Sequence, residues 1–208
     1  FCSLLIAENL DVIWSCYAAI NTVNQEILNL MKKAGCWNIF FGFETGVEEL
    51  AKNMLTNRKN KDLPQMKKVI KWVKDAGIEA RGSFLIGTPG ETPELAKQTI
   101  QNAIDLDPDY AQFTTVCPFP GTKLAKELKE GKWGTLFTDN FEKYNAWDTT
   151  WLPFGYKDKE ELINMQRYAY RKFYLRTNYI FKRILKIRAF EDIKRYFKGG
   201  RALVKAFF

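Results

Sequence analysis

Short apolar runs alternate with helical segments through the first 117 residues, and this alternation limits the possible folds more than any other feature. Four runs have the length and composition of buried strands: residues 11–20, 39–43, 78–86 and 110–117. Two of the intervening helical segments end alike, in Lys32-Lys33-Ala34-Gly35 and Lys74-Asp75-Ala76-Gly77. These endings lie about 42 residues apart, the size of a βα unit with an extended loop. The sequence therefore predicts a parallel α/β sheet with right-handed crossovers.

The pattern changes beyond Thr122, where one short helical segment precedes an aromatic stretch rich in loops. From Lys159 onward the spacing of apolar residues is helical again. We therefore predict an α/β part over residues 1–130, a loop-rich connection over 131–158 and a basic helical extension over 159–208. The 208 residues suffice for one domain with a sizeable core and an appendage.

Composition excludes several kinds of chemistry. Histidine is absent, which removes the commonest general base, any Ser–His or Cys–His couple and most zinc sites. The cysteines form no C-x-x-C pair, and we interpret them as reduced, mostly buried thiols of a cytosolic protein; disulfides are the alternative. They are Cys2, Cys16, Cys36 and Cys117. No apolar stretch is long enough to cross a bilayer, no signal peptide is recognisable and the first residue is not Met, so we expect a cytoplasmic fragment of a longer protein.

The candidate site is expected at the carboxyl ends of the predicted strands, where the active sites of parallel α/β barrels form. Glu44 directly follows the apolar run 39–43, and burying a carboxylate there without a partner would be costly. A position at the mouth of a barrel, facing a cation or hydroxyl groups, would explain this residue. The alternatives are a structural partner for a nearby Arg or Lys, or a place at a helix N-terminus.

Three further segments supply weaker candidates. Gly87 opens residues 87–92, where glycines would let the backbone approach a ligand and turn into a helix. Pro118 and Phe119 belong to the exit from the last predicted strand, which two prolines stiffen. Arg81 and Ser83 alternate with the other face of their strand. They therefore point into the barrel, unless Arg81 is an outward, solvated residue at the start of the strand.

Taken in order, six segments of the chain resemble the radical S-adenosylmethionine (SAM) superfamily, and the resemblance covers roughly residues 1–190. The segments are Trp14-Ser15-Cys16, Thr22-Val23-Asn24-Gln25-Glu26-Ile27-Leu28, Met31-Lys32-Lys33-Ala34-Gly35-Cys36, Phe41-Gly42-Phe43-Glu44-Thr45-Gly46, Phe84-Leu85-Ile86-Gly87-Thr88-Pro89-Gly90-Glu91-Thr92 and Pro118-Phe119-Pro120-Gly121-Thr122. Residues 171–176 resemble the C-terminal extension of members with an N-terminal cobalamin-binding domain. Such members include anaerobic protoporphyrin ester cyclases and methyltransferases of lipids and natural products.

The resemblance implies a partial (β/α)6 TIM-like barrel, of which this chain holds the C-terminal strands, followed by an α-helical C-terminal extension. The implied cofactors are SAM, a [4Fe-4S] cluster held by a C-x3-C-x2-C loop, and cobalamin. The implied chemistry is reductive cleavage of SAM to a 5′-deoxyadenosyl radical, or methyl transfer in cobalamin-dependent members. By resemblance, Glu44 contacts the ribose or amino group of SAM. The strand with Arg81 and Ser83 then lies against the nucleoside, Gly87 belongs to the cofactor-binding loops, and Pro118 and Phe119 flank the adenine.

The sequence departs from this family in two respects. It has no C-x3-C-x2-C motif, and Ala19 and Asn21 stand where relatives usually have Arg and Asp. We therefore expect no catalytic residue and no metal ligand within the chain, which alone would be inactive. The whole enzyme would act on a hydrophobic small molecule such as a lipid, a porphyrin or a secondary metabolite, with flavodoxin or ferredoxin as electron donor. The alternative is a degenerate, non-catalytic α/β module that binds a ligand or partner.

The C-terminal tail is strongly basic. Residues 167–205 contain thirteen Lys and Arg against Glu191 and Asp192, a local balance of +11, whereas the whole chain carries +8. Apolar residues recur in this tail near helical spacing. Three interpretations remain open: an amphipathic helix packed on the barrel with a solvated basic face, a helix lying on an anionic membrane, or, least favoured, a nucleic-acid-binding segment.

Overall fold

The fold is built on parallel strands joined by helices. It is taken from a computed structural model, which describes residues 1–54, 63–138, 140, 142, 144, 149–187, 194 and 197–201. In chain order its elements are α1 (Cys2–Ala7), β1 (Trp14–Ala18), α2 (Gln25–Lys33), β2 (Cys36–Glu44), α3 (Glu48–Asn53), α4 (Leu63–Asp75), β3 (Glu79–Ile86), α5 (Pro93–Leu106), β4 (Tyr110–Thr115), α6 (Lys123–Lys129), β5 (Gly134–Leu136), β6 (Trp151–Pro153), α7 (Lys159–Tyr174) and α8 (Thr177–Leu185).

The main sheet has the order β1-β2-β3-β4, so strands that follow one another along the chain are also neighbours in space. Strands β1 and β2 pair in parallel, as do β2 and β3. Beside β4, the amide of Asp109 donates to the carbonyl of Ala80 at 2.8 Å, and the amide of Val116 donates to the carbonyl of Ile86 at 3.1 Å. From the first bond to the second, the residue numbers rise along both β3 and β4, so these two strands are parallel too. The predicted α/β fold is confirmed, and within the described residues the sheet is open, as expected for part of a barrel.

Strand β1 differs from the prediction of a buried strand over residues 11–20. It covers only Trp14–Ala18, and the side chains of Ile13 and Tyr17 are both 83% exposed. Within the described residues β1 is the first strand of the sheet and pairs with β2 alone, which leaves its side chains less covered than those of an inner strand. An apolar run therefore predicted the strand but not its exposure.

By their contacts the residues form two compact units. The first consists of Phe1–Leu85 and Gln101–Gln112, and the second of Ile86–Ile100 and Phe113–Phe208. This grouping does not test the predicted division at residues 130 and 158, which stays a prediction. Parts of the predicted connection, including Trp147, and of the predicted extension lie outside the described residues. Within the connection, β5 and β6 form an antiparallel pair that the sequence did not predict.

In the first unit, helix α2 shows how local sequence sets the element boundaries. The side chain of Asn24 accepts a hydrogen bond from the amide of Ile27 at 2.8 Å and caps the start of α2. After its end, Gly35 has φ +90°, and a Cβ atom there would lie 1.9 Å from the carbonyl oxygen of Val12. Glycine is therefore required at this turn. The helix buries Leu28 and Met31 and contacts β2, whose Ile39, Phe41 and Phe43 are buried.

In the second unit, helix α7 covers the outer edge of β4. The amide of Phe113 donates to the hydroxyl of Tyr170 at 3.1 Å, and the side-chain amide of Gln166 donates to the carbonyl of Phe113 at 2.9 Å. Gln166 and Tyr170 are one helical turn apart and both are buried, so they saturate the peptide groups that an edge strand would otherwise expose. The indole of Trp151 does the same for the carbonyl of Val116, at 2.8 Å.

Helix α8 does not fit the interpretation of a tail helix whose apolar face is packed. Its residues Ile180, Phe181, Ile184 and Leu185 are all exposed, while Tyr179 is buried. Among the described residues, none of the helices combines the length and apolarity that a membrane span needs.

Candidate functional site

Glu44 ends strand β2 in an unusual backbone conformation. Its φ is +62°, in the left-handed region, which costs a residue with a side chain on the order of 1 kcal/mol. The register between β2 and β3 shifts between Gly42 and Glu44, so that Gly42 lies opposite Ser83 and Glu44 opposite Phe84. A bulge with a strained acidic residue at the carboxyl end of a strand is the kind of feature that re-aims a side chain toward a site.

The carboxylate of Glu44 bends back over Gly42. A Cβ atom on residue 42 would lie 2.9 Å from the Oε1 atom of Glu44, closer than ordinary contact permits. Gly42 therefore provides the space in which this carboxylate lies. Because residues opposite one another in a parallel ladder share a face, the carboxylate is on the face of the sheet that carries Ser83.

Arg81 lies on that same face, opposite Phe40 in the ladder between β2 and β3. Its guanidinium is 5.9 Å from the centre of the Phe40 ring and 5.6 Å from that of Tyr110, so aromatic groups flank the cation. The ring of Tyr17 continues the row, 4.9 Å from that of Phe40. Arg81 is exposed and Ser83 is half-buried, whereas the alternate residues Ala80, Gly82 and Phe84 are buried on the opposite face.

The first unit thus brings three of the predicted residues, Glu44, Arg81 and Ser83, onto one face of its sheet. This face is the one that is not packed into the core. The aromatic partners Phe40 and Tyr110 were not identified from the sequence. For Phe40 a signal was present, because it stands four residues before Glu44 in the same run and strand alternation predicts that both face the same side.

In the second unit, Gly87 begins a turn held together by Glu91. Glu91 is fully buried, and its carboxylate accepts hydrogen bonds from the Gly87 amide at 2.6 Å, the Thr88 hydroxyl at 3.0 Å and the Tyr156 hydroxyl at 2.6 Å. Burial raises the pKa of Glu91, and the three donors partly oppose that shift. The Gly87 amide is therefore engaged within the protein, and a Cβ atom on residue 87 would press on Leu162 at 3.0 Å.

The sequence did not predict the hydrogen bond between Glu91 and Tyr156. Glu91 was recognised only as a member of the 87–92 segment, and Tyr156 lies 65 residues further along the chain. A signal was nevertheless present, since an acidic side chain directly after a Gly-Thr-Pro-Gly turn can accept hydrogen bonds from the amides of that turn.

Pro118 and Phe119 begin the segment that follows β4. The bond from the Val116 amide to the Ile86 carbonyl places the start of this segment beside the start of the Gly87 turn. The ring of Phe119 is 50% exposed and lies 6.3 Å from that of Tyr144. Thr122 ends the segment by accepting a hydrogen bond from the amide of Ala125 at 3.2 Å, and so caps α6.

A groove of about 770 Å³ borders this segment within the second unit. Its lining joins apolar and charged side chains: Pro118, Pro120, Ala125, Leu136 and Tyr144, with Lys123, Lys126 and Lys129 along α6 and the acidic Glu130. Two of the lysines pair with glutamates one turn further along the helix, Lys123 with Glu127 at 3.4 Å and Lys126 with Glu130 at 4.0 Å. The groove has the size of a small-molecule site and combines an apolar lining with positive charge.

The cysteines are free thiols, and three of them approach one another in the first unit. Cys16 and Cys36 are hydrogen-bonded through their side chains, and Cys2 is close enough to influence both. Burial is the main cause that raises the pKa of Cys36 to about 12 and also raises the pKa of Cys16. In the part of the chain that the structure describes, no group of three or more Cys, His, Asp or Glu could hold a metal ion.

Comparisons with known proteins agree with this architecture. The family profile described as "Radical SAM superfamily" matches residues 3–103. An uncharacterized methyltransferase of Pyrococcus horikoshii is 34% identical over 195 residues, which is 92% of this chain and 40% of that protein. An anaerobic magnesium-protoporphyrin IX monomethyl ester cyclase of Rubrivivax gelatinosus is 30% identical over 182 residues, 86% of this chain and 31% of that protein. The chain thus spans well under half the length of these relatives.

Two solved structures show the same fold at low identity. The radical SAM methyltransferase TsrM of Kitasatospora setae, with cobalamin and a [4Fe-4S] cluster bound, superposes with a TM-score of 0.56 at 20% identity, over 62% of this chain and 26% of that one. Elp3 of Methanocaldococcus infernus gives a TM-score of 0.56 at 20% identity, over 76% of this chain and 32% of that one.

Proposed function

Because this chain belongs to the radical SAM superfamily, we propose that it is part of an enzyme that cleaves SAM reductively and acts with cobalamin as a methyltransferase or cyclase on a hydrophobic substrate. Three findings support this proposal. The family profile matches, the relatives include proteins named as methyltransferases and a cyclase, and the fold is shared with a radical SAM methyltransferase that binds cobalamin.

The family implies a [4Fe-4S] cluster, which when bound supplies the electron that cleaves SAM. The cysteines of this chain do not fit that cluster, because Cys2, Cys16 and Cys36 lie near one another but no three potential ligands among the described residues are arranged to hold a metal ion. We therefore assign no step of electron transfer to this chain. An electron donor such as flavodoxin or ferredoxin belongs to the same proposal, as a partner of the whole enzyme.

Glu44 is the residue that we propose to hold SAM. Its carboxylate lies over Gly42 on the sheet face that is not packed into the core. The left-handed backbone conformation of Glu44 sets the direction of this side chain. A carboxylate in this position would accept hydrogen bonds from the ribose hydroxyls or from the charged amino group of SAM. Hydrogen bonds to charged groups are worth about 1.5–3 kcal/mol, enough to orient a cofactor of this size.

The nucleoside would lie along the same face. We propose that Ser83 offers its hydroxyl as a donor or acceptor beside Gly42, and that Arg81 borders the site with its guanidinium between Phe40 and Tyr110. Gly87, Pro118 and Phe119 belong to the second unit, and their contact with the cofactor stays a prediction from the family resemblance.

The groove along α6 supports a hydrophobic substrate that also carries an anionic group. Its lining is largely apolar, and its three lysines outnumber its one acidic residue, Glu130. An apolar body would be buried against Pro118, Leu136 and Tyr144, while a carboxylate or phosphate of the substrate would meet the lysines.

Binding of SAM tests the proposal directly. We expect the substitution Glu44→Gln to weaken SAM binding to the purified protein at least about tenfold in isothermal titration calorimetry, since it removes a charged hydrogen-bond acceptor. Glu48→Gln is the matched control, because Glu48 is an exposed acid four residues away that pairs with Lys52. Equal affinity for wild type and Glu44→Gln would contradict the role of Glu44. A protein that binds no SAM at all would favour the alternative, a non-catalytic binding module.

A further inference from the structure

One of the lysines that line the groove along α6 has no counter-charge. Lys123 pairs with Glu127 at 3.4 Å and Lys126 pairs with Glu130 at 4.0 Å. Within the part of the chain that the structure describes, the ammonium group of Lys129 makes neither an ion pair nor a hydrogen bond. Its charge is therefore free to meet a molecule that enters the groove.

The two glutamates of this region already have other contacts. The carboxylate of Glu130 lies 3.5 Å from the ammonium of Lys132, in addition to its pair with Lys126. The carboxylate of Glu127 accepts a hydrogen bond from the indole of Trp133 at 2.8 Å. The groove therefore combines an apolar lining with one uncompensated positive charge, which is complementary to an anion.

Lys129 and the prolines of the groove lie at opposite ends of α6. Thr122 caps the start of the helix, and Lys129 is its last residue, about 10 Å further along the axis. Pro118 and Pro120 line the groove before the helix begins, where the chain has just left the carboxyl end of β4. Because the active sites of parallel α/β barrels form at that end of the strands, the reacting end of the groove is the proline end.

We propose that Lys129 selects an amphipathic anion for this groove and orients it. The anionic group of such a molecule meets the ammonium of Lys129, and its apolar body lies along the groove with its far end toward Pro118. A cationic molecule of the same shape is rejected by the same charge. The preference for an anion does not depend on SAM, whereas the assignment of the reacting end rests on the proposed function.

Two fluorescent probes with the same rings separate the effect of charge from that of the apolar body. Anilinonaphthalene sulfonate carries one negative charge, and phenylnaphthylamine is its uncharged counterpart. We expect Lys129→Gln to weaken binding of the sulfonate about fivefold at low salt and to leave binding of the uncharged probe unchanged. Added salt should reduce this difference, and Lys129→Glu should increase it.

Lys123→Gln is the matched control, because it removes the same charge from a lysine of the same helix that already has a partner. An equal loss of sulfonate binding in Lys123→Gln and Lys129→Gln would overturn the proposal, since net charge would then explain both. Leu136→Ser should weaken both probes, because it removes part of the apolar lining. Unchanged binding of both probes in this variant would show that they bind outside the groove, and would overturn the proposal too.

The orientation is measured with brominated decanoates, because bromine quenches tryptophan fluorescence at close range. Phe119→Trp places a tryptophan beside Tyr144, at the Pro118 end of the groove. We expect decanoate with bromine on its terminal carbon to quench this tryptophan more than decanoate with bromine next to the carboxylate, after subtraction of the quenching in the unsubstituted protein. Equal quenching, or the reverse order, would overturn the orientation. None of these measurements uses SAM, so a failure of the proposed function in the SAM titration remains distinguishable from a failure of this inference.

Discussion

The carboxylate of Glu44 lies in the space that a side chain on residue 42 would need, with its Oε1 atom 2.9 Å from the Cβ position of that residue. Gly42 is thus the counterpart of Glu44, and the two residues depend on each other although they are separated by Phe43. The bulge between β2 and β3 occurs at the same two positions. The geometry of the proposed SAM contact is therefore set by a glycine that would touch no ligand.

The substitution Gly42→Ala should displace the Glu44 carboxylate and weaken SAM binding by about tenfold, with a loss of unfolding free energy below about 1 kcal/mol. The small stability effect follows because the clash involves the far end of a flexible side chain. Calorimetric titration with SAM and thermal unfolding measure the two quantities. Gly199→Ala is the control, because nothing lies within 4 Å of its Cβ position. Unchanged SAM affinity in Gly42→Ala would separate the glycine from the cofactor site.

The sequence predicted the parts of this site that depend on strand alternation. The sequence placed Glu44 directly after an apolar run and Arg81 and Ser83 at alternate positions of the next strand, and the structure places all three on one sheet face. The sequence could not show that Arg81 lies between Phe40 and Tyr110, because those contacts join three strands whose pairing is set by the fold.

The sequence could not show which residues would be hydrogen-bonded across long separations, or which side of a helix would face the protein. The 87–92 segment resembles a loop that binds a ligand through its amides, yet its Gly87 amide is satisfied by Glu91, and Glu91 in turn by Tyr156, a residue distant in sequence. For α8, helical spacing identifies an apolar side and a basic side. Which of them faces the protein is decided by Tyr179 and its aromatic neighbours, and they turn the apolar side outward.

The edge of strand β4 offers a test of stability that is independent of any cofactor. Tyr170→Phe leaves the buried amide of Phe113 without its acceptor and should lower the free energy of unfolding by about 1–3 kcal/mol. Urea denaturation followed by circular dichroism measures this loss. Tyr168→Phe is the matched control, because it removes the same hydroxyl from a half-buried tyrosine two residues earlier on α7. An equal effect in both variants would mean that the hydrogen bond to Phe113 contributes nothing specific.

The buried carboxyl of Glu91 predicts a particular dependence of stability on pH. Its pKa in the folded protein is raised above the value of 4.5 that applies to the unfolded chain, mainly because the group is buried. Between these two pKa values the folded protein binds more protons than the unfolded one, so this contribution to stability is complete below pH 4.5 and is lost as the pH rises through the folded pKa. Glu91→Gln cannot titrate, and it should therefore lack this part of the decline.

The measurement is the difference in unfolding free energy between wild type and Glu91→Gln, obtained by urea denaturation at a series of pH values from acidic to mildly alkaline. We expect that difference to become less favourable to wild type as the pH rises. Glu94→Gln provides a control of opposite sign, because hydrogen bonds from its own amide and from Thr92 lower the pKa of Glu94, so that its contribution appears above the unfolded pKa and is lost as the pH falls. The opposite result is that the difference in unfolding free energy changes with pH in the same direction for both variants. The pKa of Glu91 would then not be raised in the folded protein, because the hydrogen bonds from Gly87, Thr88 and Tyr156 would outweigh the effect of burial.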